Sequence, residues 1–308
     1  MSFSLCYLTN RKTPRFDWFC DGIVRQCGSA VDFEVIVVDS VLWDDAAGRR
    51  QELADIVKGR FAYKHVPPKP SVFQGPHRLT KSDFFAASNA RNTGICHSSK
   101  DYIYFIDDLS IMLGDFLSNV RHAAQGKYVV GGAYKKVLEL VVENGDAKSW
   151  REFPQGLDSR LGRGSKEGIR PINGGALYGC SMGLPMGAML QINGFDEIYD
   201  SQGGEDYSVG IALEKWGHKI WYNLNLMTLE DELAHGQGPI FKRIIKPGNP
   251  DSSWVVLNRL NGASRPRAFG NTFELAELRR DTLAGKPLPI PKEPKTHWFD
   301  GQPLSEMG

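Results

Sequence analysis

Three apolar runs rich in β-branched and aromatic residues, Phe3–Thr9, Phe33–Val38 and 102–106, each stop on a polar or acidic residue. Runs this continuous suit strands buried on both faces of a sheet rather than strands with one wet face. Between the first two, Asp17 to Cys27 carries apolar residues at helical spacing. That strand, helix, strand order builds a parallel sheet whose ligand crevice lies beyond the C-terminal ends of the strands. Thr9, Asp39 and the pair Asp107-Asp108 therefore share one edge.

The rest of the chain extends this α/β pattern. Residues 49–60 read as a helix and 61–66 as a third strand, before a proline-rich loop at 67–76. A helix is expected over 83–96 and another over 112–124. Residues 128–132 and 137–143 look like strands around a hairpin turn at Asn144-Gly145. The Gly-, Arg- and Asp-rich stretch 150–175 is expected to be a mobile loop, with the sheet resuming at 176–180 and ending at 219–222. Between those strands, Val209, Leu213 and Trp216 mark a helix whose N-terminus carries Glu205 and Asp206. Residues 1–240 are expected to form one domain, and 241–308 a C-terminal extension packed on it. Within that extension 273–283 reads as a short helix, and the proline-rich 285–294 as extended chain.

Composition narrows the class. The 308 residues, 41% hydrophobic with a mean hydropathy of -0.33, suit a globular enzyme able to bury a sizeable core. A formal charge of +1 supplies no global argument for a polyanionic partner. Residues 241–308 nevertheless hold eleven Lys/Arg, including Arg259, Arg265, Arg267, Arg279 and Arg280, against seven Asp/Glu. Five cysteines without CxxC spacing argue against a disulfide framework or a structural zinc site, and for a reducing compartment. No apolar stretch approaches the ~20 residues needed to span a bilayer, and the expected location is cytoplasmic.

Two carboxylate clusters carry the chemistry. Adjacent acids at a strand end, Asp107-Asp108, suit a hard divalent cation such as Mg²⁺ or Mn²⁺. The second cluster runs from Asp196-Glu197 to Gly203-Gly204-Glu205-Asp206 and ends at a helix start, where negative charge is favoured. Arg91, one element before the acid pair, is a permanently charged planar donor suited to a diphosphate. His235 follows the last strand as a candidate third metal ligand.

These residues carry a resemblance. Residues 3 to about 240 resemble a GT-A (Rossmann-like) glycosyltransferase of the family-2 superfamily, through Phe33–Ser40, Ala90-Arg91-Asn92-Thr93-Gly94-Ile95 and Phe105-Ile106-Asp107-Asp108. Ile192–Glu197 through Gly203–Asp206 is similar to the acceptor-side segment of the β-1,4-galactosyltransferase and chondroitin-polymerase type. The resemblance implies a mixed central sheet and a metal-dependent inverting glycosyltransferase using a nucleoside-diphosphate sugar, with a UDP-sugar as the expected donor. It implies nucleotide contacts from Thr9, Arg11, Asp39, Arg91 and Asp107, and Mn²⁺ or Mg²⁺ held by Asp108 and His235. Glu205 would meet the acceptor and Asp206 would be the general base. Leu109 stands where the common acid motif has a third-position aspartate, and Asp39-Ser40 lacks the usual second acid and glycine. The acceptor classes left open are a glycan, a metabolite, a peptide, or DNA with hydroxylated bases. Two rival classes are a nucleotidyltransferase-like enzyme, disfavoured because Asn10-Arg11-Lys12-Thr13-Pro14 has basic residues without glycines, and a non-catalytic sugar-binding protein.

Overall fold

The computed structural model describes residues 2–161, 168–200, 203–236, 267, 268, 270–290 and 303–306. Its first strands, β1 (Ser4–Thr9), β2 (Glu34–Asp39), β3 (Lys64–Val66) and β4 (Tyr102–Asp107), pair in parallel in the order β3-β2-β1-β4. The sheet then turns mixed. Beyond β4 come antiparallel β9 (Ser181–Pro185), then β6 (Val129–Glu143), β10 (Ile220–Asp231) and β5 (Ser110–Met112). Off this path, β7 (Asp146–Leu157) pairs with β6, and β8 (Ile169–Ile172) with β10.

Period-two alternation divides the apolar runs between two cores. Leu5, Tyr7, Val35, Val37, Tyr104 and Ile106 face α1 (Phe16–Cys27), α2 (Ala46–Val57) and α4 (Phe116–Gly126). Cys6, Leu8, Ile36, Val38, Ile103 and Phe105 face α3 (Ala87–His97), α5 (Met186–Gln191), α6 (Glu205–Lys215) and α8 (Leu275–Leu283). Helices on both faces explain why these strands read as unbroken hydrophobic runs. Because β2 and β3 lie on one side of β1 and β4 on the other, the C-terminal ends of β1 and β4 diverge at a topological switch point, where such sheets bind ligands.

Several expected boundaries move, each for a physical reason. The helix expected over 83–96 begins at Ala87, because Phe84 is extended and bonds to Phe73, joining a satellite core with Val72 and Leu304. Met112 belongs to β5 rather than to the following helix, which starts at Phe116 beyond Gly114. Residues 129–143 form one strand, its hairpin partner β7 takes up 150–157 of what reads as loop, and β8 takes up 169–172. A ribbon solvated along much of its length lacks the alternation that marks a strand. Residues 174–176 make a 3-10 turn, and the strand follows at 181–185, whose glycine and proline hide its buried character. The last strand reaches Asp231 through a bulge between Asn223 and Met227. The 273–283 expectation corresponds to α8, which docks Leu275 and Leu278 into the second core.

Close backbone contact fixes α6. A Cβ on Gly210 would lie 2.1 Å from the carbonyl oxygen of Gly174, and one on Gly174 would lie 2.4 Å from that of Gly210. Gly to Ala within a helix ordinarily stabilises by about 0.5–1 kcal/mol, whereas overpacking costs about 1–3 kcal/mol. Gly210→Ala is therefore expected to lower stability in urea denaturation, and an unchanged or raised midpoint would show that α6 is free to shift.

Candidate active site

A cleft of about 530 Å³ opens at the switch point, lined by residues that include Thr9, Arg11, Arg91, Asp107, Asp108, Glu205 and Asp206. Tertiary structure thus joins the two carboxylate clusters. The link is Arg91, whose side chain is only 3% exposed. Its Nη1 donates to Glu205 at 2.8 Å, and its Nη2 donates to Asp107 and to the Gly179 carbonyl, each at 3.2 Å. Burial by itself would lower the arginine's pKa, but Asp107, Glu205 and Asp206 outweigh it and hold the guanidinium more firmly charged than usual.

α3 can lie deep enough to place Arg91 because it is built from small residues. Gly94 packs so closely on β1 that a Cβ would meet Cys6 Sγ at 2.6 Å. Its other polar side chains are used structurally. Asn92 bonds the Phe195 backbone and Glu197, while Ser88 donates to the Asp196 carbonyl. Asp196 accepts from the Ile198 and Gly270 amides, and Glu197 from Lys69. Asp200 accepts from the Ser88 and Asn89 amides at the start of α3. The second acidic segment therefore divides: Asp196, Glu197 and Asp200 organise the fold, and Glu205 and Asp206 face the cleft.

Gly203 and Gly204, both at positive φ, let the chain turn into α6 so that Glu205 and Asp206 stand in its first turn. Asp206 Oδ2 accepts from the Gly179 amide at 2.9 Å, which fixes the carboxylate against the opposite wall. Cys180, next along that wall, has its thiol pushed well up by burial, so it stays protonated and is a poor nucleophile.

On the other side of the cleft, Asp108 Oδ2 accepts from Thr9 Oγ1 at 2.7 Å and Oδ1 from Arg11 Nε at 3.0 Å. Burial raises the Asp108 pKa, with Arg11 and Thr9 opposing it. Leu109 adopts φ 61° with its side chain 1% exposed, so the third position of the acid motif points into the core and offers no ligand. Asp39 takes a place behind the cleft. It is fully buried and accepts from Arg49 Nε at 2.8 Å, the Val41 amide at 3.0 Å and, across 3.0 Å, meets His65 Nε2. Arg49 also donates to the Arg11 and Lys12 carbonyls, so this cluster braces the loop that carries Arg11.

His235 lies in α7 (Glu232–Gly236), and its side chain is outside the described residues, as are Arg259 and Arg265. Arg267 pairs with Glu274, Arg279 donates to the Ser98 and Lys100 carbonyls, and Arg280 pairs with Asp281.

Sequence reasoning missed Phe85, Tyr134, Lys136, Tyr178 and Glu230, all of which line the cleft. None lies in a motif; only the end of an apolar strand marks Glu230. Among the described residues, no three His, Cys, Asp or Glu side chains already converge as a metal cage. The donor chemistry nevertheless suits a hard cation. The described lining carries five carboxylates (Asp107, Asp108, Glu205, Asp206, Glu230) against three cations (Arg11, Arg91, Lys136). An ionised carboxylate has about four acceptor sites, so Asp108 retains lone pairs beyond its bonds to Thr9 and Arg11.

The crowding shows in proton affinity. Burial raises Asp107 to about 6, with Arg91 opposing and Asp108 and Asp206 adding to the shift. Burial raises Glu230 from 4.5 to about 7, with Lys136 opposing and Asp107 and Asp108 adding. For such acids the unfolded chain ionises first as pH rises, while the folded chain keeps its proton. Stability therefore falls through the window from the ordinary carboxylate range to about 7, and the loss is complete above it. Glu230→Gln is expected to flatten the upper part of that decline in denaturation midpoints measured from pH 5 to 8. An equal slope in the variant would assign the decline elsewhere.

No protein-family model matches the sequence, and no curated protein matches it. Among solved structures, residues 1–349 of S. aureus TarS in complex with UDP-GlcNAc align with a TM-score of 0.53 and 13% identity, over 92% of this chain and 73% of that one. S. aureus TarS itself aligns at 0.50 and 14%, over 92% and 42%. The same fragment in complex with UDP aligns at 0.48 and 13% over 75% of this chain, which spans 60% of it. At such identity the likeness is one of architecture: a mixed α/β sheet with its cleft at the switch point, the GT-A glycosyltransferase fold.

Proposed function

We propose that this chain is an inverting glycosyltransferase that moves a sugar from a nucleoside-diphosphate sugar, with a UDP-sugar as the leading donor, to an acceptor hydroxyl. The observation that carries this reading is the Arg91 fork, which holds Asp107 from the end of β4 and Glu205 from the start of α6 beside one cleft. One TarS structure contains UDP-GlcNAc, which supports the choice of donor.

In this reading Thr9, Arg11, Arg91 and Asp107 form the nucleotide side. Asp39 serves it from behind by holding Arg49, which bonds the Arg11 carbonyl. Arg11 and Arg91 are permanent cations in a partly desolvated cleft, suited to the negative charge that grows on a departing diphosphate. Asp206 accepts the proton of the acceptor hydroxyl as its oxygen bonds to the anomeric carbon, and the bond to the diphosphate breaks with its electron pair on the leaving oxygen. Attack on the face opposite the leaving group inverts the anomeric centre. Glu205, fixed by Arg91, orients the acceptor. Asp108 and His235 would hold Mn²⁺ or Mg²⁺, which when bound supplies further neutralisation of the diphosphate.

Asp206→Asn is nearly isosteric and is expected to spare donor binding while lowering turnover by ~10²-fold or more, the range general-base catalysis supplies. Near-normal turnover would move the base elsewhere, and retained anomeric configuration in the product's NMR spectrum would exclude direct displacement. Chelation with EDTA is expected to abolish turnover and to weaken donor binding in a thermal-shift assay, with both restored by manganese. Full turnover in excess EDTA would remove the metal from the mechanism.

A further inference from the structure

The cleft has two chemically different sides. Arg11 and Arg91 belong to the side built from β1, α3 and β4. Opposite them stand Tyr134 on β6 and Tyr178 on the segment leading into β9, both partly exposed and both lining the cleft. Their ring centroids are 6.1 Å apart and their planes meet at 62°, so together they make an aromatic corner rather than a parallel slot.

This corner is held rigidly. The Arg160 guanidinium lies 4.3 Å from the Tyr178 ring centroid and 4.6 Å from that of Tyr222, sandwiched between the two. Arg160 is itself 3% exposed, grips Asp158 and donates to the Gly132 and Ala176 carbonyls. The Tyr178 hydroxyl also meets Ser159 Oγ at 3.0 Å. Tyr178 directly precedes Gly179, whose amide holds Asp206. A ring resting on the corner would thus stand next to the proposed base, one residue along the chain from the Gly179 carbonyl that Arg91 holds. Aromatic surfaces beside a few fixed polar groups are typical of small-molecule subsites, because they bury area at little cost in conformational entropy.

Resting on the glycosyltransferase reading above, we propose that Tyr134 and Tyr178 form the acceptor subsite and that the acceptor hydroxyl is borne on a pyranose ring. A planar base would stack on one of two rings inclined at 62°, whereas a chair-shaped pyranose presents C–H groups in more than one direction and can touch both. The ring so placed offers its hydroxyl proton to Asp206, and its oxygen forms the new bond to the donor's anomeric carbon as the diphosphate leaves.

The test uses the full chain with manganese and whichever of UDP-glucose, UDP-galactose and UDP-GlcNAc it binds. Three acceptor probes are compared: methyl pyranosides, the acyclic polyol ribitol, and 5-hydroxymethyl-2′-deoxycytidine. Transfer to at least one pyranoside is expected to exceed transfer to the other two. Tyr134→Leu is expected to raise the pyranoside KM by ~10-fold, the scale of a lost aromatic contact, while Tyr134→Phe keeps it near wild type. Donor affinity, read by thermal shift, should be unchanged in both variants. Preference for ribitol or the nucleoside, an unaltered acceptor KM in Tyr134→Leu, or an equal loss of donor affinity would each overturn the assignment. Absence of any donor binding or hydrolysis by the wild type would instead overturn the glycosyltransferase reading on which it rests.

Discussion

A guanidinium with 3% exposure, as in Arg91, is tolerable only when its charge is matched and its protons are directed to acceptors. Asp107, Glu205 and the Gly179 carbonyl supply that match at the two terminal nitrogens, each from a different segment, while the buried Nε has no hydrogen-bond partner among the described residues. The consequence is architectural as well as chemical. The strand end that carries the first acid pair and the helix start that carries Glu205 and Asp206 cannot drift apart without stranding a buried cation. α3 is the platform for this arrangement, and its Ala, Ser, Asn, Thr and Gly residues are the condition for its depth. Large side chains on the same helix would lift Arg91 away from the sheet.

Acidic residues around this platform fall into distinct physical roles. Asp39, Asp196, Glu197 and Asp200 have their oxygens engaged by arginine, lysine, asparagine or backbone amides, so they are used to hold loops. Asp107, Asp108, Glu205, Asp206 and Glu230 crowd one cleft. Burial, with the neighbouring carboxylates adding to it, raises Asp107 to about 6 and Glu230 to about 7. Such crowding opposes folding, and acids raised by burial beside charged partners in a cleft are candidates for a functional site. The buried Leu109 at positive φ belongs to the same turn and adds local strain beside the acids.

Much of this was legible in the sequence where the signal is local. Three buried strands announced themselves as continuous apolar runs because both faces of the sheet are covered, and their terminal Thr9, Asp39 and Asp107 marked the edge at which a cleft forms. The helix start at Glu205 was legible from its glycine pair and the apolar spacing behind it. The hairpin turn at Asn144-Gly145 was legible too, but the reach of its second strand was not, since β7 is exposed along most of its length and has no inside to alternate with. Nor was β9, a fully buried strand written with Gly and Pro. Tyr134, Tyr178 and Glu230 gave no motif, because their importance comes from facing the cleft across the sheet rather than from neighbours in the chain.

The sequence by itself determined the α/β class, the strand ends at which polar residues gather, and the two acidic segments as the chemistry-bearing parts. Those follow from periodicity and side-chain type, which act over a few residues. Tertiary structure decided which acids are functional candidates. Asp39 and Asp206 look alike in sequence, each at the boundary of a regular element, yet one is sealed behind Arg49 and His65 and the other is held on a cleft by the Gly179 and Tyr207 amides. That difference depends on which distant groups the fold brings within hydrogen-bond reach, and burial and Coulomb forces respond only to that three-dimensional arrangement.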